Sequence, residues 1–532
     1  MTKSKKDWLL AFLLTLPMIF FYARHYLNHV SSLNATGFIA YDNVSYIAYA
    51  KEYLDQDGFH ILYSNPLNDS GNYPKIYFQT QNIFFALLLS LGISPGFVLV
   101  LFNWLCTLLS FRVAIAIYDH LVSEKKNRKL FISFFCWGGG LLALAGIPIA
   151  LTKPMGNLDF FDRIFFIDPA WGWWGLNFGR GHFMSSEGYF HFLFLSGILC
   201  ILKKKWNLTI AAALLLSLSH PFTGIEFLAI VASWTAVEKI IFRNQTVPWK
   251  FPVGIILILA FHVFYYLIFL NQFPEHRSVS EQYALNWRLR FFSMIPAWCI
   301  VGALAVCSLF KFRKDVFTNQ TTRLFLCWFL VAIILANHEL FMKPMQPIHF
   351  TRGYIWTSLF LLGLPALHVI FQRTASRFYK FLLVGFTMIM LSDNFLWILN
   401  YVRTTARSAS ITHITDEQKN LLEILNRNST NNTLIIGQDP VLPYLSTVYT
   451  KAHPWISHPF TTPFAARKAA AYSNFILEKT IDSSWANREV IFIFRKNVRD
   501  EMTRSQSMPF EVTQLASTGS YIIQKAVIPI RN

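Results

Sequence analysis

Apolar runs of membrane length recur along most of this 532-residue chain, and they restrict its possible folds more than any other feature. Inside a bilayer every backbone N–H and C=O must be satisfied internally, so such runs become α-helices. A span needs roughly 20 apolar residues. By that measure helices fall near 9–27, 97–118, 131–151, 186–202, 251–271, 291–310, 323–337, 354–371 and 379–400. The stretch 207–241 is interrupted by His220-Pro221 and reads as two helices, which brings the total to about eleven spans. With 54% hydrophobic and only 14% charged residues, an ordinary soluble domain is excluded.

The formal charge of +18 is carried largely in short clusters between apolar runs. These are Lys3-Ser4-Lys5-Lys6, Lys125-Lys126-Asn127-Arg128-Lys129, Lys203-Lys204-Lys205, Lys311-Phe312-Arg313-Lys314 and the stretch 373–380. The positive-inside rule accounts for that pattern and puts the clusters, with the N-terminus, on the cytoplasmic side. No nucleic-acid module is visible, and no nucleic-acid partner is expected. The clusters agree if 83–92 does not cross but lies in the outer interface as an amphipathic helix. Residues 3–22 lack a small-residue cleavage site and read as an uncleaved first span. The chain then divides into a transmembrane module, 1–401, with its first external loop at 29–96, and an extracytoplasmic domain, 402–532. In the second part helix-like 416–426 and 464–478 alternate with strand-like 433–437, 490–494 and 521–524, which predicts a small α/β domain. The six cysteines lie in or beside apolar runs, so no disulfide framework is expected.

The first loop carries Tyr41-Asp42-Asn43-Val44-Ser45-Tyr46 at the head of an amphipathic helix. A carboxylate there is either an N-cap for free backbone N–H groups or a general base at the membrane surface. The same loop holds Gln79. In the loop 152–185, Arg180 precedes Glu187 and His191, which share a helix face at i,i+4 as a surface pair or as the wall of a site. His220 and Glu226 break an apolar run; ionisable groups in a bilayer face a cavity or a partner. The segment from Lys343 through His349 to Arg352 concentrates positive charge on the side where topology disfavours it. It reads as a phosphate clamp, since arginine suits bidentate phosphate contact and lysine adds a point charge; interface snorkelling is the plainer reading. The proline-flanked His458 either shapes a turn or contacts a substrate from above. Asp55-Gln56-Asp57 has the spacing to share a divalent cation, but Gly58 favours a solvated turn; a metal is not indicated and no cofactor is expected. No Rossmann glycine motif, P-loop, HExxH or nucleophile elbow is present.

Taken together, the Asp42 loop, the interfacial helix before the second span, the basic stretch His349-Phe350-Thr351-Arg352-Gly353-Tyr354 and the external C-terminal domain resemble the GT-C superfamily of integral-membrane glycosyltransferases. The likeness covers the whole chain in layout and these two motifs closely. It extends to bacterial glycosyltransferase-like membrane proteins and, more distantly, to aminoarabinose and protein-mannosyl transferases; the metal-dependent oligosaccharyl branch fits less well. The resemblance implies a polyprenyl-phosphate sugar donor, an acceptor that is a glycan, lipid or protein, and a bacterial inner membrane. It implies inverting transfer of a hexose or pentose, with Asp42 as general base and with Arg352, Lys343 and His349 on the donor phosphate. Tyr46, Gln79, Arg180, Glu187, His191, His220 and His458 become candidates for substrate contact, and Trp171, Trp173 and Trp174 for a sugar face. The alternative is a transporter or flippase of a lipid-linked glycan, which would show inverted repeats; none is visible.

Overall fold

The computed structural model describes residues 2–529 except 28–32, 56–57, 70–72, 125, 153–155, 157–158, 166–174, 185, 373–375 and 405–409. Trp171, Trp173, Trp174, Gln56 and Asp57 therefore lie outside the described residues.

Five helices are long and apolar enough to cross a membrane: Pro95–Leu121, Lys250–Gln272, Phe291–Lys311, Pro347–Gln372 and Arg377–Arg403. Two bent pairs, Lys3–Leu14 with Leu16–Leu27 (44°) and Arg128–Trp137 with Leu142–Thr152 (52°), bring the number up to seven if each is one span. The runs expected as spans at 186–202 and 323–337, and the first half of 207–241, form helices of only 16, 16 and 14 residues. They fall short of the roughly 20 residues a perpendicular crossing needs. His220-Pro221 does divide 207–241, with the proline at the first turn of Pro221–Ala236 where its missing N–H costs nothing. These helices make the chain an integral membrane protein.

The chain forms two compact units. The first comprises Met1–Arg24, Leu101–Tyr266 and Ala284–Thr404. Its helices are joined by polar ties where the backbone breaks. At Gly138-Gly139-Gly140 the helical ladder is interrupted, and the released amides find partners on neighbouring helices: Gly139 N donates to Met390 O (2.8 Å), Leu141 N to Pro296 O (2.7 Å) and Ala143 N to Asp393 Oδ1 (2.8 Å). A break at this depth is tolerated because the freed groups are re-satisfied.

The second unit comprises His25–Val100, Leu267–Tyr283 and Thr405–Asn532, so the first loop packs with the C-terminal segment. Leu33–Ala35 pairs antiparallel with His413–Thr415. Thr415 and Gln418 then form a capping box that starts helix Asp416–Asn428. Beyond it lies a five-stranded mixed sheet in the order His453–Pro454, Thr433–Ile436, Glu489–Arg495, Tyr521–Val527, Thr513–Ser517. The first three strands are parallel and the last two pair antiparallel. Alternation along Glu489–Arg495 sends Val490, Phe492 and Phe494 into a core with Trp455, Phe475 and Trp485.

Candidate functional site

In the second unit Asp42 occupies the N-cap position of helix Asn43–Lys51, yet its side chain makes no capping hydrogen bond. Its carboxylate instead takes His458, with Nε2 2.8 Å from Oδ1. The two groups differ sharply in exposure: the His458 side chain is 3% exposed, that of Asp42 61%. The other imidazole nitrogen, Nδ1, accepts from the backbone N–H groups of Phe460 and Thr461. An imidazole nitrogen that accepts carries no proton, so the proton sits on Nε2 and His458 donates to Asp42.

The rest of this unit fixes the helix that carries Asp42. Tyr444 Oη lies 2.6 Å from Ser45 Oγ, accepts from Ser45 N and donates to Tyr41 O. Lys51, at the far end of the helix, donates to the carbonyls of Thr447, Val448 and Thr450. Its charge thereby closes the negative end of helix Leu442–Tyr449. Burial lowers the Lys51 ammonium to about 8. Burial also raises the phenols of Tyr41 and Tyr49 to about 12, with the Asp42 carboxylate adding to the effect. The Tyr444 phenol rises for the same two reasons. These tyrosines keep their protons near neutrality. Tyr46 stands on the same helix, half-buried and edge-on to Tyr49. Gln79 starts helix Thr80–Ser90, and its amide oxygen accepts from Asn82.

In the first unit Arg352 gathers several of the predicted residues. Its Nη1 pairs with the Glu187 carboxylate. Nη2 lies 2.7 Å from His349 Nδ1 and 3.0 Å from His220 Nε2, while Nε donates to His349 O. The backbone that delivers it is strained: Arg352 sits at φ +29°, a region non-glycine residues avoid, followed by Gly353 at φ +74°. Only glycine fits the second position, because a Cβ there would lie 2.7 Å from the Asn177 carbonyl carbon. The histidines have defined tautomers. His349 Nε2 donates to Gln346 Oε1, leaving Nδ1 to accept from Arg352. His220 Nδ1 accepts from Thr223 N, so its proton lies on Nε2 and faces the guanidinium. Two N–H groups therefore face each other across 3.0 Å. The side chain of Arg352 is only 2% exposed, and Glu187 already supplies one anion.

The remaining candidates are placed as follows. Glu187 opens helix Glu187–Leu202, and its second oxygen is 4.0 Å from His191 Nε2, too long for a hydrogen bond. His191 is fully buried and packs edge-on against Tyr354 and His182, and neither ring nitrogen has a hydrogen-bond partner among the described residues. Arg180 belongs to a separate buried network, with Nη2 2.9 Å from Asp393 Oδ2 and Nε 2.9 Å from Asn394 Oδ1. Lys343 is exposed. Among the described residues no group of three or more His, Cys, Asp or Glu is arranged to hold a metal. Sequence reasoning missed the roles of Tyr444 and Lys51. A lone lysine closing an otherwise apolar helix was a signal for the second; the first had none, since its partners are about four hundred residues away.

No protein-family model and no curated protein matches the sequence. Among solved structures, the archaeal oligosaccharyltransferase AglB from Archaeoglobus fulgidus, in complex with an inhibitory peptide and a dolichol-phosphate, gives a TM-score of 0.48 at 11% identity, over 92% of this chain and 70% of that one. ArnT from Cupriavidus metallidurans bound to undecaprenyl phosphate gives 0.51 at 10% identity, over 98% of each chain. The arabinofuranosyltransferase AftD from mycobacteria gives 0.52 at 13% identity, over 98% of this chain and 40% of AftD. The chain has the GT-C fold.

Proposed function

With that fold as premise, we propose that the chain is an inverting glycosyltransferase that moves a sugar from a polyprenyl-phosphate donor to an extracytoplasmic acceptor. The observation that carries this reading is the exposed Asp42 carboxylate, excused from capping its own helix and held by the buried N–H of His458. A carboxylate placed for helix stability would bond the first-turn amides. Here the His458 N–H instead orients the exposed carboxylate towards an incoming hydroxyl.

In the proposed reaction the acceptor oxygen attacks the anomeric carbon and its proton passes to Asp42. The bond from that carbon to the phosphate oxygen breaks, and polyprenyl phosphate leaves with the electron pair. Arg352, with His349, His220 and Lys343, stabilises the charge growing on that phosphate, an interaction stronger in the transition state than in the bound donor. The converging N–H groups of His220 and Arg352 support this assignment. Glu187 holds the guanidinium in place before the phosphate arrives. Whether the sugar is a hexose or a pentose is set by contacts made with the donor bound. The test is a turnover screen of the purified protein against a panel of polyprenyl-phosphate sugars. Transfer or hydrolysis of one of them supports the reading, and inertness towards all of them with intact lipid-phosphate binding counts against it.

A further inference from the structure

A cavity lies in the first unit, away from Arg352. Helix Tyr354–Gln372 begins beside Arg352 and lines this cavity from Leu361 to Gln372, so the lining starts roughly 10 Å along the helix axis from Tyr354 and ends roughly 27 Å from it. The cavity has a volume of about 350 Å³. One wall is apolar, built from Leu121, Leu309, Phe312, Phe325, Leu361 and Pro365. The other carries acceptors: the carboxylates of Glu124 and Asp315, the Asn319 amide and the hydroxyls of Thr321 and Thr322. Among the described residues no lysine or arginine lines it, while His368 and Gln372 do. Lys311, Arg313 and Lys314 stand exposed on the same turn as Phe312. Phe310 and Phe317, flanking that turn, are 79% and 70% exposed.

We propose that this cavity binds the headgroup of a diacyl phosphoethanolamine lipid. The charges are laid out for a zwitterion: acids inside, bases at the lip, and exposed phenylalanines beside those bases for the chains. A primary ammonium brings three N–H donors, which suit two carboxylates and neighbouring hydroxyls. Glu124 Oε2 is held by Gln372 Nε2 at 2.9 Å and lies 3.9 Å from His368 Nδ1, so the carboxylate is positioned before a ligand arrives. A quaternary ammonium has no N–H to offer and is recognised by aromatic faces instead. A purely anionic headgroup would meet two carboxylates. The phosphate of the zwitterion, one bond sequence further out, meets Lys311, Arg313 and Lys314. The site stands apart from the Arg352 cluster and does not depend on the proposed reaction.

The test is lipid retention by the full chain. The purified protein is equilibrated with an equimolar mixture of phosphatidylethanolamine, phosphatidylcholine and phosphatidylglycerol of identical acyl chains, and the lipids it retains are counted by native mass spectrometry. Ethanolamine lipid is expected to exceed choline lipid by about tenfold, the worth of one charge-assisted hydrogen bond. Glu124→Gln with Asp315→Asn is expected to abolish that preference. Equal retention of the three lipids, a preference for the glycerol headgroup, or a preference unchanged in the double variant overturns the proposal. The wild-type comparison stands alone if the double variant does not fold.

Discussion

His458 donates its Nε2 proton to Asp42 Oδ1 across 2.8 Å, joining residues 416 positions apart in the chain. The imidazole is buried and locked by two backbone N–H groups, so it sets the direction in which the carboxylate points. His458→Ala is expected to lower kcat about tenfold or more with little change in donor KM, since the lost bond orients a reacting group rather than binding substrate. His458→Gln retains a side-chain N–H and is expected to recover part of the loss. Steady-state kinetics of the two variants check this; equal defects would reduce His458 to a packing role.

Arg352→Lys keeps the charge but loses the planar fork that reaches Glu187, His220 and His349 together. Lipid-phosphate affinity is expected to fall roughly tenfold to a hundredfold, the worth of one or two hydrogen bonds to a charged group. Direct binding of a polyprenyl phosphate measures it. Unchanged affinity would move the phosphate site elsewhere.

Glu187→Gln leaves a buried guanidinium without its counter-charge, a change that costs about 3–5 kcal/mol when one member of a buried pair is removed. The melting temperature is expected to drop. Because a phosphate supplies the missing negative charge, added polyprenyl phosphate is expected to restore more stability to this variant than to the wild type. Thermal unfolding with and without the lipid checks both statements.

Burial holds Lys51 at about 8 in the folded chain, against about 10.4 for an exposed lysine. Between those values the unfolded chain binds a proton that the folded chain has released, so the contribution of Lys51 to stability rises with pH across that window. Lys51→Met is expected to remove that rise. Melting temperature against pH for the two proteins is the measurement, and parallel curves would contradict the assignment.

The parts of this account legible in the sequence are those set by short-range physics. Apolar runs mark the helices, His220-Pro221 marks a helix junction, and the β-branched and aromatic runs at 433–436 and 489–495 are strands. The two-residue strand His453–Pro454 was not legible, because a strand that short has no alternation to detect. Asp42 at a helix start is an N-cap by local rules, but its backbone is helical rather than extended and its carboxylate meets a histidine that only the fold brings near. Glu187 and His191 share a face as the spacing requires, but the carboxylate turns to Arg352, a stronger partner supplied by a distant loop. Arg180 and Asp393, 213 residues apart, show the same limit: residue type suggests a buried pair without naming the partner.

The central claim is that Asp42 takes the acceptor proton. Asp42→Asn preserves size and, through its amide oxygen, the bond from His458, but removes the basic charge. Sugar transfer from a polyprenyl-phosphate donor is expected to fall about a hundredfold to ten-thousandfold, with lipid-phosphate binding and melting temperature unchanged. Wild-type turnover in that variant would contradict the account.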